Sequence, residues 1–216
     1  MKTFVVKQKP PDLKRFDERL AAAYSRTDNK EKQYDDWAST YDSDLVDDLG
    51  YVAYKNAGDV FMEVAPDRHA RVLDVACGTG LAGQYLKDNG YENIHGADLS
   101  AEMMAIADKR QIYLSTWQHD FTKPIKPDQL YDALLCVGMF AYAVPKISDM
   151  HNVVNCVKSG SICVITVNGA AWKDLDLELQ VYQEAERSGF AIEQIKASGY
   201  IEKEGIDCRV LVIRRA

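Results

Sequence analysis

Runs of positive charge are missing from this chain, and so is any apolar stretch of membrane-spanning length. Lys and Arg number 26 against 33 Asp and Glu, for a net charge of -7. Such a balance leaves no electrostatic footprint for a phosphate backbone and argues against a nucleic-acid partner. Without 18 or more consecutive apolar residues, no membrane partner is expected either. Met1 to Val6 is too short for a signal peptide. Cysteine is sparse: Cys77, Cys136, Cys156, Cys163 and Cys208 show no C-x-x-C spacing and read as reduced core residues, so a cytoplasmic protein is expected. With four histidines and no His, Asp and Glu cluster at ligand spacing, no metal site is expected.

What is present is an ordinary globular composition of 216 residues, 47% hydrophobic and 27% charged, enough for one domain over 1–216. Its organising stretch is Val72 to Gly80, an apolar run that meets an acid and then two glycines, read as strand, tight turn and helix start. Gly78 and Gly80 lack the Cβ atoms that keep a ligand off the backbone, and the helix from Leu81 aims free N–H groups at the turn. With Gly83 these glycines also satisfy the G-x-G-x-x-G dinucleotide fingerprint. Asp74 weighs against a pyrophosphate there and suits a cationic ligand.

Strand and helix alternate downstream of this turn. A strand at Asn93–Ala97 delivers Asp98, and Ser100 caps a helix over Ala101–Arg110 in which Met103 leans back over the first turn. Ile112 to Trp117 reads as a third strand ending in His119-Asp120-Phe121. Tyr131 to Gly138 is apolar enough to be a central strand, which leaves Cys136, Val137 and Gly138 at the edge of any site beyond its carboxyl end. Ile162–Val167 follows as a strand, Asp174 to Ser188 as a helix, and two closing strands at Ala191–Ala197 and Cys208–Ile213.

Before the turn, Leu13, Phe16, Leu20 and Tyr24 recur at helical spacing, and Tyr34, Trp37 and Tyr41 share one face if their segment is helical. Packing alone accounts for such a stripe. Pro66-Asp67-Arg68 is too short for a linker, so 1–66 is expected to cap a core at 67–216.

Val72–Gly80 resembles the first motif of class I S-adenosylmethionine-dependent methyltransferases, and Gly96-Ala97-Asp98-Leu99-Ser100 resembles the second. The segment Tyr34-Asp35-Asp36-Trp37-Ala38-Ser39-Thr40-Tyr41-Asp42 is similar to the entry helix of small-molecule methyltransferases, including the Williams–Beuren-region methyltransferase-like proteins. The resemblance implies a Rossmann-like α/β fold: a seven-stranded, mostly parallel sheet with a C-terminal antiparallel strand and an N-terminal helical cap. It implies S-adenosyl-L-methionine as cofactor, with Asp98 on the ribose hydroxyls, Asp120 on the adenine amino group, Phe121 beside the ring and Tyr34, Trp37 and Tyr41 covering the pocket. Asp74, Ala76, Gly78, Thr79, Gly80, Leu99, Met103, Cys136 and Val137 complete the expected cofactor set.

The implied activity is transfer of the sulfonium methyl by in-line displacement to a small-molecule acceptor, by a monomer or homodimer. Such a transfer rests on proximity and alignment, and needs a general base only where the acceptor must lose a proton. No residue declares itself as that base; His119, His151 and Tyr142 lie near strand ends, where such groups are more often structural. The stretch after the fourth strand lacks the Asn/Asp-Pro-Pro-Tyr/Phe tetrad of methyltransferases acting on amino groups of bases and glutamine. Two rivals stand beside this reading. One is an NAD(P)-linked oxidoreductase built on Gly78, Gly80 and Gly83, against which Asp74, the cap and the closing strands argue; the other is a non-catalytic S-adenosylmethionine-binding protein.

Overall fold

The computed structural model describes residues 13–25, 29–125 and 129–216. Seven strands form one sheet in the order β3-β2-β1-β4-β5-β7-β6. They are β1 Val72–Val75, β2 Ile94–Asp98, β3 Ser115–Gln118, β4 Tyr131–Phe140, β5 Val157–Asn168, β6 Phe190–Ile201 and β7 Ile206–Arg215. The first five pair in parallel, and β7 runs antiparallel between β5 and β6. The seven-stranded, mostly parallel architecture implied by the sequence is the one observed. Its chain order reverses at β1 and β4, and the carboxyl ends of such neighbours open a crevice for ligands.

The helices are α1 Glu18–Tyr24, α2 Lys30–Trp37, α3 Ala53–Val64, α4 Leu81–Asp88, α5 Ala101–Lys109, α6 Met150–Val154, α7 Gly169–Asp174 and α8 Leu177–Ser188, with a π-helical stretch at Ser43–Asp48. Strands β1 and β4 are apolar along their inner length because helices cover both faces: Val72, Leu73, Leu134 and Leu135 are inaccessible to solvent. Helix α3 belongs to that covering layer, with Ala53, Ala57 and Phe61 wholly buried.

Besides strands that run longer than expected, such as β5 from Val157 rather than Ile162, three elements differ from their sequence expectation. β3 begins at Ser115 rather than Ile112, because Ile112 and Tyr113 first turn inward against glycines of the neighbouring turn. The helix expected over Asp174 to Ser188 begins only at Leu177, because Asp176, with a φ of 48° that a right-handed helix cannot hold, separates it from α7. The stretch from Leu13 to Tyr24 is a 3₁₀ turn and then α1, which Asp17 caps by accepting the Arg19 backbone N–H. Among the described residues no helix is long and apolar enough to cross a membrane.

Candidate functional site

A cavity of about 390 Å³ opens beyond the carboxyl ends of β1, β2 and β4. Ten of the residues expected from sequence line it: Tyr34, Tyr41, Ala76, Gly78, Asp98, Leu99, Met103, Asp120, Phe121 and Val137. Gly78 presents the open face of the turn. Its φ is +53°, and a Cβ placed there would meet no atom within 4 Å, so the missing side chain leaves backbone facing the cavity. Ala76 also holds positive φ, at 56°, a strained conformation for a residue with a side chain and one that concentrates at ligand sites.

The other two glycines serve packing. A Cβ on Gly80 would lie 2.6 Å from Ile112 Cδ1, and one on Gly83 would overlap the Tyr113 ring. Gly80 and Thr79 are buried off the cavity wall, with Thr79 Oγ1 donating to Asp42 Oδ1 at 2.5 Å. Asp74 is also off the wall and 1% exposed, accepting a 2.6 Å hydrogen bond from the Tyr113 hydroxyl. Burial pushes its carboxyl up to about 7, against the Tyr113 bond and with help from Asp98. Cys136 is fully buried beneath the site, and Trp37 points toward the neighbouring recess described below.

Asp98 ends β2 with both oxygens engaged: Oδ2 accepts the Gly78 N–H and Oδ1 the Ser100 N–H, each at 2.8 Å. Burial raises its carboxyl above the ordinary value, opposed by the backbone donors. Asp120 behaves oppositely: burial raises its pKa, but hydrogen bonds from Thr122 and the Lys123 ammonium outweigh that and hold it low. Phe121 lines the same cavity, its ring 4.8 Å from that of His119.

The α2 segment closes over this side. Tyr34, Trp37 and Tyr41 pack together, Trp37 edge-on to Tyr41 at 4.8 Å, as their shared face predicts. Carboxylates of the same segment tie it down. Asp35 accepts from Ser100 Oγ at 2.5 Å, Asp42 receives Thr79 and pairs with Arg110, and Trp37 Nε1 donates to Asp44 at 2.6 Å.

Of the acid–base candidates, His119 lines the cavity. Tyr142 is bound to Arg15 and Asp174, and His151 sits among Ser148, Glu184 and Arg187; neither lines it. The sequence reading did not select Lys30, Thr122, Met139, Val144 or Pro145, which do. Met139 lies near the carboxyl end of β4 and Val144 and Pro145 follow it, where the rule that ligands lie beyond strand carboxyl ends points to them. Lys30 begins α2 directly after its cap Asn29 and carries no local signal.

The family model for a methyltransferase domain matches residues 72–160. Human methyltransferase-like protein 27 is 36% identical over 126 residues, 56% of this chain and 51% of that protein, so the chain spans about half the length of this relative. An S-adenosylmethionine-dependent methyltransferase structure from Clostridium acetobutylicum aligns with TM-score 0.62 at 16% identity, covering 85% of this chain and 99% of that one. Magnesium protoporphyrin IX methyltransferase from Synechocystis, with bound S-adenosylmethionine, aligns with TM-score 0.58 at 13% identity over 92% of this chain and 90% of that one. The strand order with its antiparallel β7, the two glycine-and-acid motifs and the matched domain agree, and the chain has the class I S-adenosylmethionine-dependent methyltransferase fold.

Proposed function

We propose that the protein is an S-adenosylmethionine-dependent methyltransferase acting on a small-molecule acceptor. The observation that carries this reading is the convergence of Asp98, the open backbone at Gly78 and the Asp120–Phe121 pair on one cavity. Asp98 is suited to a ribose diol, since the backbone N–H groups of Gly78 and Ser100 fix its two oxygens at the cavity wall. Gly78 is a cradle that any Cβ would fill. Asp120 is held ionised to accept amino hydrogens, and Phe121 offers an apolar wall for a planar base.

When bound, the cofactor supplies a methyl group on a positively charged sulfur. The protein's part is to orient that group and exclude water: Tyr34 and Tyr41 cover the cavity, and Met103 and Val137 present apolar surface. Asp98 places an acid in the cavity wall where a cationic ligand gains and a pyrophosphate loses, which supports this reading over the NAD(P) one.

Under the same proposal the residues before β1 are a cap on a single domain, and the acidic balance favours a small acceptor over nucleic acid. Five buried, unpaired cysteines support a cytoplasmic site of action. Calorimetry tests the cofactor. S-adenosylhomocysteine is expected to bind and NADH not, and Asp98→Ala is expected to cost about 1.5–3 kcal/mol of affinity. Equal affinity in variant and parent would refute the assignment of Asp98.

A further inference from the structure

Behind the main cavity lies a smaller recess of about 40 Å³ that shares Lys30, Tyr34, Tyr41, Gly138, Met139 and Val144 with it. Its far wall is aromatic, made by Tyr24, Trp37, Tyr51 and Tyr200. The opening exists because residue 138 is glycine. With φ at +84°, a Cβ there would stand 3.1 Å from the Tyr51 hydroxyl and 3.5 Å from that of Tyr200. The main cavity has a cofactor end carrying Asp98 and Asp120, so the remaining space beside Val144 and this recess is what a second reactant could use.

Among the described residues of the recess wall one side chain carries charge: Lys30. Its ammonium donates to Ala23 O at 2.6 Å and Gln33 Oε1 at 3.0 Å, which among the described residues leaves one of its three N–H bonds for a ligand. Carboxylates of the larger cavity belong to its other end or, as with Glu31, to the α2 surface; among the described residues none lines the recess. A cationic guest would meet an ammonium already in place, which an aromatic wall does not offset, whereas an anionic guest would gain a charge-assisted hydrogen bond.

Resting on the methyltransferase reading above, we infer that the recess is the acceptor site and that the acceptor is a small organic acid whose carboxylate pairs with Lys30. Its apolar part lies against Tyr34, Tyr41 and Val144, and the phenols of Tyr51 and Tyr200 stand within reach as donors. The recess admits a carboxyl-sized group and no ring, so the bulk of the acceptor occupies the larger cavity. Burial draws the Lys30 ammonium down to about 8, so at pH 7 it remains mostly charged.

The test is ligand-observed NMR on the full chain saturated with S-adenosylhomocysteine, with butyrate, butan-1-ol and butylamine as probes. Butyrate is expected to bind at least tenfold more tightly than butylamine. Lys30→Met is expected to weaken butyrate at least tenfold while changing butan-1-ol less than twofold, and Lys30→Arg to retain most of the butyrate affinity. A merely structural Lys30 would move butyrate and butanol together, and that result overturns the assignment. So does butylamine matching butyrate, or no probe binding to a protein that holds S-adenosylhomocysteine. Cofactor binding is measured first: its failure would remove the methyltransferase reading itself, and the two failures are thereby distinct.

Discussion

Replacing Asp74 by Asn isolates the cost of keeping a carboxyl beneath the glycine turn. Asp74 is 1% exposed, and its pKa rises from 3.8 to about 7, chiefly through burial. A raised carboxyl pKa means the folded state gives up its proton later than the unfolded one. Stability is therefore greatest below the unfolded value and is lost as pH climbs through the folded value. With those two values, linkage puts the penalty at about 2 kcal/mol at pH 5 and about 4 kcal/mol at pH 8, a difference of about 2–3 kcal/mol. The Asn amide has no charge to desolvate and can still accept from the Tyr113 hydroxyl.

Asn also places an amide nitrogen among donors, which carries its own cost, but that cost does not change with pH. The assay is urea unfolding of parent and variant at pH 5 and pH 8 without ligand. The variant's stability relative to the parent should improve by about 2–3 kcal/mol between the two pH values. A relative stability that is the same at both would refute the account, because Asp74 would then titrate alike in the folded and unfolded chains.

Gly83→Ala should destabilise by about 1–3 kcal/mol in chemical unfolding, since its methyl would overlap the Tyr113 ring; an unchanged midpoint would show that the ring moves freely. Asp42→Asn should lower S-adenosylhomocysteine affinity several-fold by calorimetry while costing under about 1 kcal/mol of stability, because its pair with Arg110 is about 30% exposed on each side. Amides from about 33 to 42 should gain hydrogen-exchange protection with S-adenosylhomocysteine, and deletion of the residues before Asp42 should cost affinity while leaving the α/β core folded. Full protection without ligand, with Trp37→Ala costing stability but no affinity, would make the segment a packing element instead.

The parts of this site written in neighbouring residues were legible before any coordinates. Gly78 and Asp98 follow from strand and turn chemistry that spans a few positions, and Ser100 accepts the Met103 N–H as its place before Ala101 predicts. The alternation of strand and helix likewise gives the parallel sheet. What was not legible depends on partners distant in the chain. Gly80 and Gly83 look identical to Gly78 in sequence, yet they make room for Ile112 and Tyr113. Asp74 has a carboxylate suited to a cation, but Tyr113, 39 residues away, covers it. The recess joins Gly138 to Tyr51 and Tyr200, a meeting produced by strand pairing and by no local pattern.

The Tyr34–Asp42 segment shows why its aromatic spacing was only half the information. The rings pack on one another, which fixes the segment's own shape, but its attachment runs through the acids between them. Asp35 holds the hydroxyl of Ser100, the cap of the helix after β2, and Asp42 holds the hydroxyl of Thr79, in the turn after β1. These two turns also present Asp98 and Gly78 to the cavity. A ligand that steadies either turn thus steadies an anchor of the segment above it, and a segment held in place lowers the entropy cost of ordering both turns. Coupling of this kind is reciprocal by linkage: whatever affinity the closed segment lends to the ligand, the ligand returns as stability to the closed segment.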